Sequence, residues 1–344
     1  MTAAAGWGDT FSSKPKTRQL GTGQKPLEPV IHTSDGRVLQ GHKELKGPSV
    51  HTNQARQHGW YNTATSHETC LPARVPGLQE LLGAKGWPEM SIINVTGIGK
   101  SGKTTLCLQE AMLQAKARVP VLYIYNESPQ ARFMTIANSH RQELDLSMED
   151  LVTMRFLDLH GQTLRDPKPQ SIERFTNQFV LKEIGVELRK VKPKLVVIDS
   201  LSKLCRLWPA QAYYFAQCFT KGLWEMMEKD NIKPAVLCIN QKSGGHWEEK
   251  DATVLGGYGV VHEMDGSIIC SRTIIDNWSA ERYGLPIGSS MRLIRIESLR
   301  DMDTDDDEHL LIKDHGALKI GASMEQLRMG ALKSKTKKGK RAGG

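Results

Sequence analysis

Residues 97–104 read Gly-Ile-Gly-Lys-Ser-Gly-Lys-Thr and match the pattern G-x-x-x-x-G-K-[ST] in full. The glycines let such a loop wrap closely around a phosphate chain, whose oxygens then meet backbone N–H groups at a helix N-terminus. An apolar run precedes the loop at 90–95 and a helical pattern follows it at 103–115, which is the placement that this mechanism requires. The sequence therefore predicts a site for ATP and Mg²⁺.

The lysine of this pattern reaches the β- and γ-phosphates, and the hydroxyl of the following residue ligates Mg²⁺. These roles fall to Lys103 and Thr104. The predicted nucleotide-binding residues are Gly97, Ile98, Gly99, Lys100, Ser101, Gly102, Lys103, Thr104 and Thr105.

Apolar segments of strand length alternate with helical segments through most of the chain. This alternation predicts an α/β fold, with a mostly parallel sheet covered by helices on both faces. The predicted helices are 78–82, 103–115, 130–139, 171–190 and 212–229, and the predicted strands of this part are 90–95, 121–125, 152–157, 195–199 and 235–240. Later β-rich segments, at 267–275, 291–296, 309–313 and 317–320, predict an antiparallel extension of the same sheet.

Composition excludes several classes of protein. Hydrophobic residues make up 39% of the 344 residues, which is enough for a sizeable core. Apolar runs are strand-sized and fall short of the roughly 20 residues that cross a bilayer. The first ten residues show no secretory signal, and the six cysteines have no C-x-x-C spacing. We therefore expect a soluble protein with reduced thiols and no structural zinc, in the cytoplasm or on the nucleoid, of a cell or a virus.

The net charge of +8 is concentrated near the two ends of the chain. Residues 1–60 hold eight Lys/Arg and four Asp/Glu, and residues 333–341 hold six basic residues and no acidic one. We predict an irregular, basic N-terminal arm (1–65), a globular domain (66–325) and a basic C-terminal tail (326–344), with both tails disordered. Such a tail can neutralise nucleic-acid phosphates, and the alternative is a solubilising extension.

Two carboxylates follow predicted strands. Asp199 ends the apolar strand 195–199, where an aspartate can hold Mg²⁺ beside the phosphate-binding loop. Glu127 follows the strand 121–125, where a carboxylate can polarise the attacking water. The alternative for Glu127 is a solvated loop carboxylate or a neighbour of a helix N-cap.

The order of these motifs resembles the RecA-like ATPase core, a group that includes RecA, RadA, KaiC-type ATPases and DnaB-type helicases. The resemblance covers roughly residues 70–320 and is nearest to the RadA and recombinase-type members. The segments that carry it, besides the phosphate-binding loop, are Glu127, Asp199, Ile239-Asn240-Gln241, the Gly-Gly-to-His stretch 256–265 and the lead-in Pro76-Gly-Leu-Gln-Glu-Leu-Leu82.

The resemblance implies roles for matching residues. Glu127 would position water, Thr104 and Asp199 would hold the metal, and Gln241 would sense the γ-phosphate. Two loops would bind single-stranded DNA, through Lys203, Arg206, Lys242, Trp247 and Lys250. Trp208, Tyr213 and Tyr214 offer further aromatic faces for bases, although they are equally typical of core or subunit-contact residues.

The chain departs from the family at a late strand. Members often carry a K-x-K or K-x-R pair there that reaches the γ-phosphate of the neighbouring subunit. Arg295 occupies the first position, Glu297 occupies the second, and Arg300 is a candidate substitute. The acidic run 301–308 is typical of a solvated hairpin turn, with a metal site as the alternative.

The resemblance leads to a functional hypothesis. We expect ATP hydrolysis coupled to single-stranded DNA binding in recombination, repair or replication, by a ring or filament of identical subunits. A DnaB-type helicase motor and a KaiC-like regulatory ATPase with protein partners are the alternatives, and the N-terminal arm is a candidate for recruiting a protein. A small-molecule kinase would need an arginine-rich lid, which the sequence near the loop lacks.

Overall fold

The computed structural model describes residues 69–160, 171–242, 263–300 and 302–342, together with three short strands near the N-terminus. The chain divides into two units, Met1–Ser66 and His67–Gly344. In the first unit the three strands form a small antiparallel sheet, β1 (Ile31–His32), β2 (Val38–Gln40) and β3 (Lys43–Leu45). The sequence predicts no regular structure there, because strands of two or three residues are too short to show a period.

The second unit contains the remaining elements. Its strands are β4 (Cys70–Leu71), β5 (Trp87–Pro88), β6 (Ser91–Gly97), β7 (Val121–Tyr125), β8 (Met154–Asp158), β9 (Leu195–Asp199), β10 (Ala235–Gln241), β11 (Gly266–Ile274), β12 (Ser290–Leu299), β13 (His309–Asp314) and β14 (Ala317–Ser323). Its helices are α1 (Leu78–Leu81), α2 (Lys103–Lys116), α3 (Gln130–Glu143), α4 (Ile172–Phe175), α5 (Lys182–Val191), α6 (Leu201–Cys205), α7 (Ala212–Lys229), α8 (Asn277–Tyr283) and α9 (Met324–Ala342).

Nine strands form one sheet in the order β14-β13-β12-β11-β6-β10-β9-β7-β8. Neighbouring strands from β11 to β8 are parallel, and the pairs from β11 to β14 are antiparallel. The predicted mostly parallel sheet with an antiparallel extension is confirmed. A segment predicted as one helix contains a π-helical stretch, Thr176–Leu181, between α4 and α5.

The central strands are buried on both faces. In β9, Leu195 and Val197 pack with α1, α2 and α3, whereas Val196 and Ile198 pack on the opposite side with α4 to α7. Since successive side chains of a strand point to opposite faces, a strand covered by helices on both sides needs an unbroken apolar run. This requirement explains the sequence Leu-Val-Val-Ile that precedes Asp199.

Two polar side chains of α2 attach other segments to this helix. Gln109 pairs with the backbone of Leu318 in β14, donating to its carbonyl oxygen (2.7 Å) and accepting from its N–H (2.6 Å). The buried carboxylate of Glu110 accepts hydrogen bonds from the N–H groups of Arg74 and Val75 and from the indole of Trp87. The helix that follows the phosphate-binding loop therefore positions both the lead-in segment and the antiparallel extension.

The C-terminal segment differs from the sequence-based expectation. The sequence predicts a disordered tail from residue 326, whereas the structure has the helix α9 (Met324–Ala342). Ser323 and Gln326 form a capping box, in which each side chain bonds the backbone N–H of the other. Leucine, methionine, alanine, lysine and arginine have high helix propensity, so a properly capped start extends into the basic segment.

None of the helices in the described part of the chain is long and apolar enough to span a membrane.

Candidate functional site

Four neighbouring parallel strands bring the predicted site residues to one edge of the sheet. β6 leads into the phosphate-binding loop, β9 ends at Asp199, β10 ends at Gln241, and Glu127 follows β7 by two residues. Because these strands are parallel and adjacent, their carboxyl ends lie side by side. Ligands of open α/β sheets bind in the crevice outside these ends.

Two glycines of the phosphate-binding loop have backbone conformations that other residues rarely adopt. Gly97 has φ +153°, and a Cβ atom there would lie 1.9 Å from the carbonyl oxygen of Cys270. Gly102 has φ +105° and directly precedes α2. A side chain at Gly97 would therefore displace either the loop or β11, and one at Gly102 would strain the backbone.

Lys103 is buried inside the loop. Its Nζ donates hydrogen bonds to the carbonyl oxygens of Gly97 (2.8 Å) and Ile98 (2.7 Å). Burial lowers the pKa of Lys103, and the nearby Cys270, Glu127 and Asp199 partly offset that effect. The ammonium group thus lies within the curve of the loop, where a phosphate chain would take the place of the carbonyl oxygens as its partner.

Asp199 and Thr104 form the candidate metal site. The Thr104 hydroxyl lies 3.4 Å from Asp199 Oδ1, and the Tyr123 hydroxyl donates to Asp199 Oδ2 at 2.9 Å. Burial and the neighbouring charge of Glu127 raise the pKa of Asp199 to about 6, against the opposing effect of these two hydrogen bonds. A hydroxyl beside a carboxylate is the oxygen donor set that Mg²⁺ prefers, so the residues fit this ion.

Glu127 is held close to this pair through Ser200. The Ser200 hydroxyl donates to Glu127 Oε1 at 2.6 Å. The side chain of Asn126 pairs with the backbone of Ser200, accepting from its N–H (2.8 Å) and donating to its carbonyl oxygen (3.0 Å). The peptide bond between Asp199 and Ser200 is cis. The two hydrogen bonds of Asn126 thus connect the residue that follows β7 with the residue that follows β9.

Gln241 ends a chain of polar contacts that crosses the sheet. Its N–H donates to the Ser202 hydroxyl (2.6 Å), which donates to Asn240 (3.2 Å), and Asn240 donates to Asn94 (2.7 Å). Its side-chain oxygen accepts a hydrogen bond from the guanidinium of Arg206.

Sequence reasoning missed Tyr123, Asn126, Ser200, Ser202 and Asn94 as supporting residues of the site. Four of them lie within four residues of Glu127 or Asp199 in the sequence, and this proximity was the available signal. Asn94 offered a different signal, because it is a polar residue in the middle of the apolar run before the loop.

The residues predicted to contact DNA have different surroundings. Lys203 lies on α6, Arg206 follows that helix, and Lys242 follows β10. Trp247 and Lys250 lie outside the described residues.

The three aromatic residues considered with them have protein partners. The half-buried Trp208 ring packs against Phe175 (4.8 Å between ring centroids) and Phe215 (5.5 Å), which belong to the core. Tyr213 donates to Glu263 and Tyr214 to Glu173. Trp208 therefore packs against the core and both tyrosine hydroxyls are bonded to carboxylates, while contact of these residues with DNA stays a prediction.

The predicted trans-acting arginine lies on β12. Arg295 is 3.9 Å from Glu297, and both side chains are more than a third exposed. Arg300, the candidate substitute for the second basic residue, pairs with Asp265 at 3.1 Å. In the acidic run, the exposed carboxylates of Asp305, Asp306 and Asp307 lie close together and carry no further sign of a metal site.

The raised pKa of Asp199 predicts how stability depends on pH. The protonated carboxyl is favoured in the folded protein, so its stabilisation is complete below about pH 4 and is lost as the pH rises through about 6. We expect Asp199→Asn to equal the wild type near pH 4 and to exceed its unfolding free energy by about 3 kcal/mol near pH 8, since one pKa unit corresponds to about 1.4 kcal/mol.

Urea titrations of both proteins across this range measure the difference. The same variant should lose Mg²⁺-dependent turnover, because the metal needs the ionised carboxylate. A stability difference that does not change with pH would show that the Asp199 pKa is ordinary.

Comparisons with known proteins agree with this geometry. A search of curated protein sequences finds no match. Among solved structures, a KaiC-like protein from the hyperthermophilic archaeon Pyrococcus horikoshii OT3 is similar, with a TM-score of 0.54 and 15% sequence identity over 74% of this chain and 99% of the other. This likeness shows a RecA-like fold, which confirms the resemblance to that group, while the leaning toward its RadA-type members stays a prediction. The family model described as "ATPase: KaiC" matches residues 71–325, and the chain therefore belongs to the KaiC family of ATPases.

Proposed function

We propose that this protein hydrolyses ATP with Mg²⁺ and couples hydrolysis to binding of single-stranded DNA, in recombination, repair or replication. The observation that carries the proposal is the grouping of Lys103, Thr104, Asp199 and Glu127 at the carboxyl ends of adjacent strands. This grouping combines a cation for the phosphates, a metal site and a carboxylate that can orient water.

Each residue of the site has a separate task in the proposed reaction. Residues 97–105 bind the phosphates through backbone N–H groups, and Lys103 neutralises the β- and γ-phosphate oxygens. Bound Mg²⁺, held by Thr104 and Asp199, would supply further neutralisation of the charge on the leaving group. Glu127, oriented by Ser200, accepts a hydrogen bond from the attacking water and so directs its lone pair at the γ-phosphorus.

The contact between Arg206 and Gln241 supports coupling to DNA. Arg206 is a predicted DNA contact, Gln241 is the predicted γ-phosphate sensor, and the two side chains are hydrogen-bonded to each other. If Arg206 left Gln241 to bind a DNA phosphate, the Gln241 side chain would lose this hydrogen bond. DNA binding would therefore alter the γ-phosphate sensor directly. The proposed DNA surface also includes Lys203, Lys242, Trp247 and Lys250. Its positive charge would attract the DNA phosphates.

Assembly into a ring or filament is part of the proposal. Arg295 would leave Glu297 and reach the γ-phosphate of a neighbouring subunit. The two exposed side chains are 3.9 Å apart, so breaking this ion pair costs little free energy. Residues 1–65 are the proposed site for a protein partner.

A regulatory ATPase with protein partners is the second candidate, and the family match favours it equally. In this alternative the loops around Arg206 contact protein, and Gln241 transmits the nucleotide state to that partner.

Measuring ATP turnover with and without single-stranded DNA, at two salt concentrations, separates the two candidates. We expect stimulation by DNA that fades at higher salt, because each phosphate contact releases counterions. Arg206→Gln should lose the stimulation and keep the basal rate, while deletion of residues 333–344 should weaken DNA binding and reduce its salt dependence. Turnover that ignores DNA in the wild type would overturn the DNA proposal and leave the protein-partnered ATPase.

A further inference from the structure

The short helix α6 lies between two functional groups of the proposed site. At its start, Ser200 is the N-cap residue, whose hydroxyl accepts from the N–H of Lys203 (3.3 Å) and donates to Glu127 Oε1 (2.6 Å). Just after its end, the guanidinium of Arg206 donates to the side-chain oxygen of Gln241. One helical turn is therefore hydrogen-bonded both to the carboxylate that would orient water and to the residue that would sense the γ-phosphate.

The middle of this turn holds the backbone of the sensor. β10 pairs with β9 as far as Ile239, opposite Asp199, because the chain of β9 then turns away into α6. Two residues further along β10, the N–H of Gln241 donates to the hydroxyl of Ser202 at 2.6 Å. Ser202 therefore supplies the acceptor that a longer β9 would have supplied.

Ser202 is itself anchored to the centre of the sheet. Its hydroxyl, which can donate and accept at once, donates to Asn240 Oδ1 at 3.2 Å. Asn240 donates to Asn94 Oδ1 (2.7 Å), and Asn94 donates to the Ser267 hydroxyl (3.3 Å). All four residues are at most 1% exposed. Because a buried polar group that loses its partner is costly, this chain of hydrogen bonds resists a shift of α6 relative to β10.

Gln241 is thus held at two points by the same turn. Ser202 holds its backbone, and Arg206 holds its side chain. The two holding residues are also linked to each other, since the Arg206 N–H donates to the Ser202 carbonyl oxygen at 3.2 Å. A misplacement of about 1 Å can reduce a reaction rate by about 10²-fold. A contact that fixes Gln241 relative to the Glu127 carboxylate is therefore important for turnover.

We propose that Ser202 is a positioning residue for ATP hydrolysis, which acts through the backbone of Gln241 and keeps this sensor in a fixed place relative to Glu127. The inference rests on the proposed roles of Gln241 and Glu127 and adds the group that links them. Ser202 needs no contact with the nucleotide for this task, because it acts on the sensor.

Ser202→Ala tests the inference, because it removes one oxygen atom and keeps the backbone of α6. We expect kcat for ATP to fall about tenfold, as for a displacement of Gln241 smaller than about 1 Å, while the equilibrium affinity for ATP stays that of the wild type. Gln241→Ala should itself lower kcat. In that background Ser202→Ala should cause no further loss, because the side chain that Ser202 positions is absent.

Thr220→Val is the matched control for Ser202→Ala. It also removes a buried hydroxyl, one that donates to the carbonyl oxygen of Ala216 in its own helix. We expect wild-type turnover from this control, since its hydrogen bond stays within α7.

Four results would overturn the inference and leave the proposed ATPase site in place. Wild-type kcat from Ser202→Ala would show that the hydroxyl positions nothing, and a loss of ATP affinity as large as the loss of kcat would assign it to nucleotide binding. An undiminished loss in the Gln241→Ala background would show that Ser202 does not act through the sensor. A comparable loss from Thr220→Val would trace the effect to general destabilisation.

Other results would refute the proposed function itself. A folded wild type without ATP turnover would refute the ATPase site, and wild-type turnover from Glu127→Gln would refute its base. Wild-type turnover from Gln241→Ala would refute the sensor role and, with it, the positioning role of Ser202.

Discussion

Replacing Lys103 with alanine is expected to reduce ATP turnover by about 10²–10³-fold, the usual effect of removing one preorganised charge donor from a reaction that develops negative charge. The ammonium group lies inside the loop, bonded to the carbonyl oxygens of Gly97 and Ile98, so it needs little rearrangement to meet the phosphates. Alanine leaves the backbone N–H groups of the loop in place. Nucleotide affinity should therefore fall less than turnover. Steady-state phosphate release and equilibrium binding of ATP measure the two effects separately.

Lys116→Ala is the control for Lys103→Ala, since both lysines belong to α2 and Lys116 is exposed at the end of that helix. We expect wild-type turnover from this control. Wild-type turnover from Lys103→Ala, measured on folded protein, would place the phosphate site elsewhere in the chain.

Glu127→Gln should lower turnover by about 10²–10⁴-fold while ATP affinity stays near that of the wild type, because general-base assistance acts on the transition state. Glutamine keeps the size of the side chain and can still accept the hydrogen bond from Ser200, so the local structure is retained. It cannot accept a proton from water. Single-turnover hydrolysis with the enzyme in excess measures the chemical step directly.

Ser200→Ala gives a graded comparison for Glu127. This variant removes the hydroxyl that orients the carboxylate and keeps the carboxylate itself, so we expect a smaller loss than for Glu127→Gln. If Glu127→Gln hydrolysed ATP in a single turnover as fast as the wild type, the residue would be a structural carboxylate, and the base would have to be sought elsewhere.

Short-range sequence patterns were sufficient to predict most of the secondary structure. The strands Val121–Tyr125 and Leu195–Asp199 and the helix Ala212–Lys229 have the predicted boundaries. Apolar runs of strand length define β7 and β9, and an apolar stripe at helical spacing defines α7. The N-terminal strands and α9 were missed because three-residue strands and a capped, lysine-rich helix lack such a period.

The candidate site was partly predictable for a related reason. The phosphate-binding loop is continuous in the sequence, Glu127 follows an apolar run and Asp199 ends one, so local patterns were enough to propose all three as site residues. The contacts between carboxylates and hydroxyls depend on the order of the strands in the sheet. They form because β9 lies between β7 and β10. Tyr123, Ser200 and Asn126 became supporting residues only through that order.

The motif that binds phosphates and the alternation that builds a parallel sheet are properties of the sequence, because each depends on residues within a few positions of one another. The pKa of Asp199, the bond between Arg206 and Gln241, and the contact of Ser202 with Gln241 depend on residues that are far apart in the chain. Lys100 and Arg292 are separated by 192 positions and meet only because β12 packs beside the loop. Burial and long-range contact are set by chain packing, and only the tertiary structure reveals them.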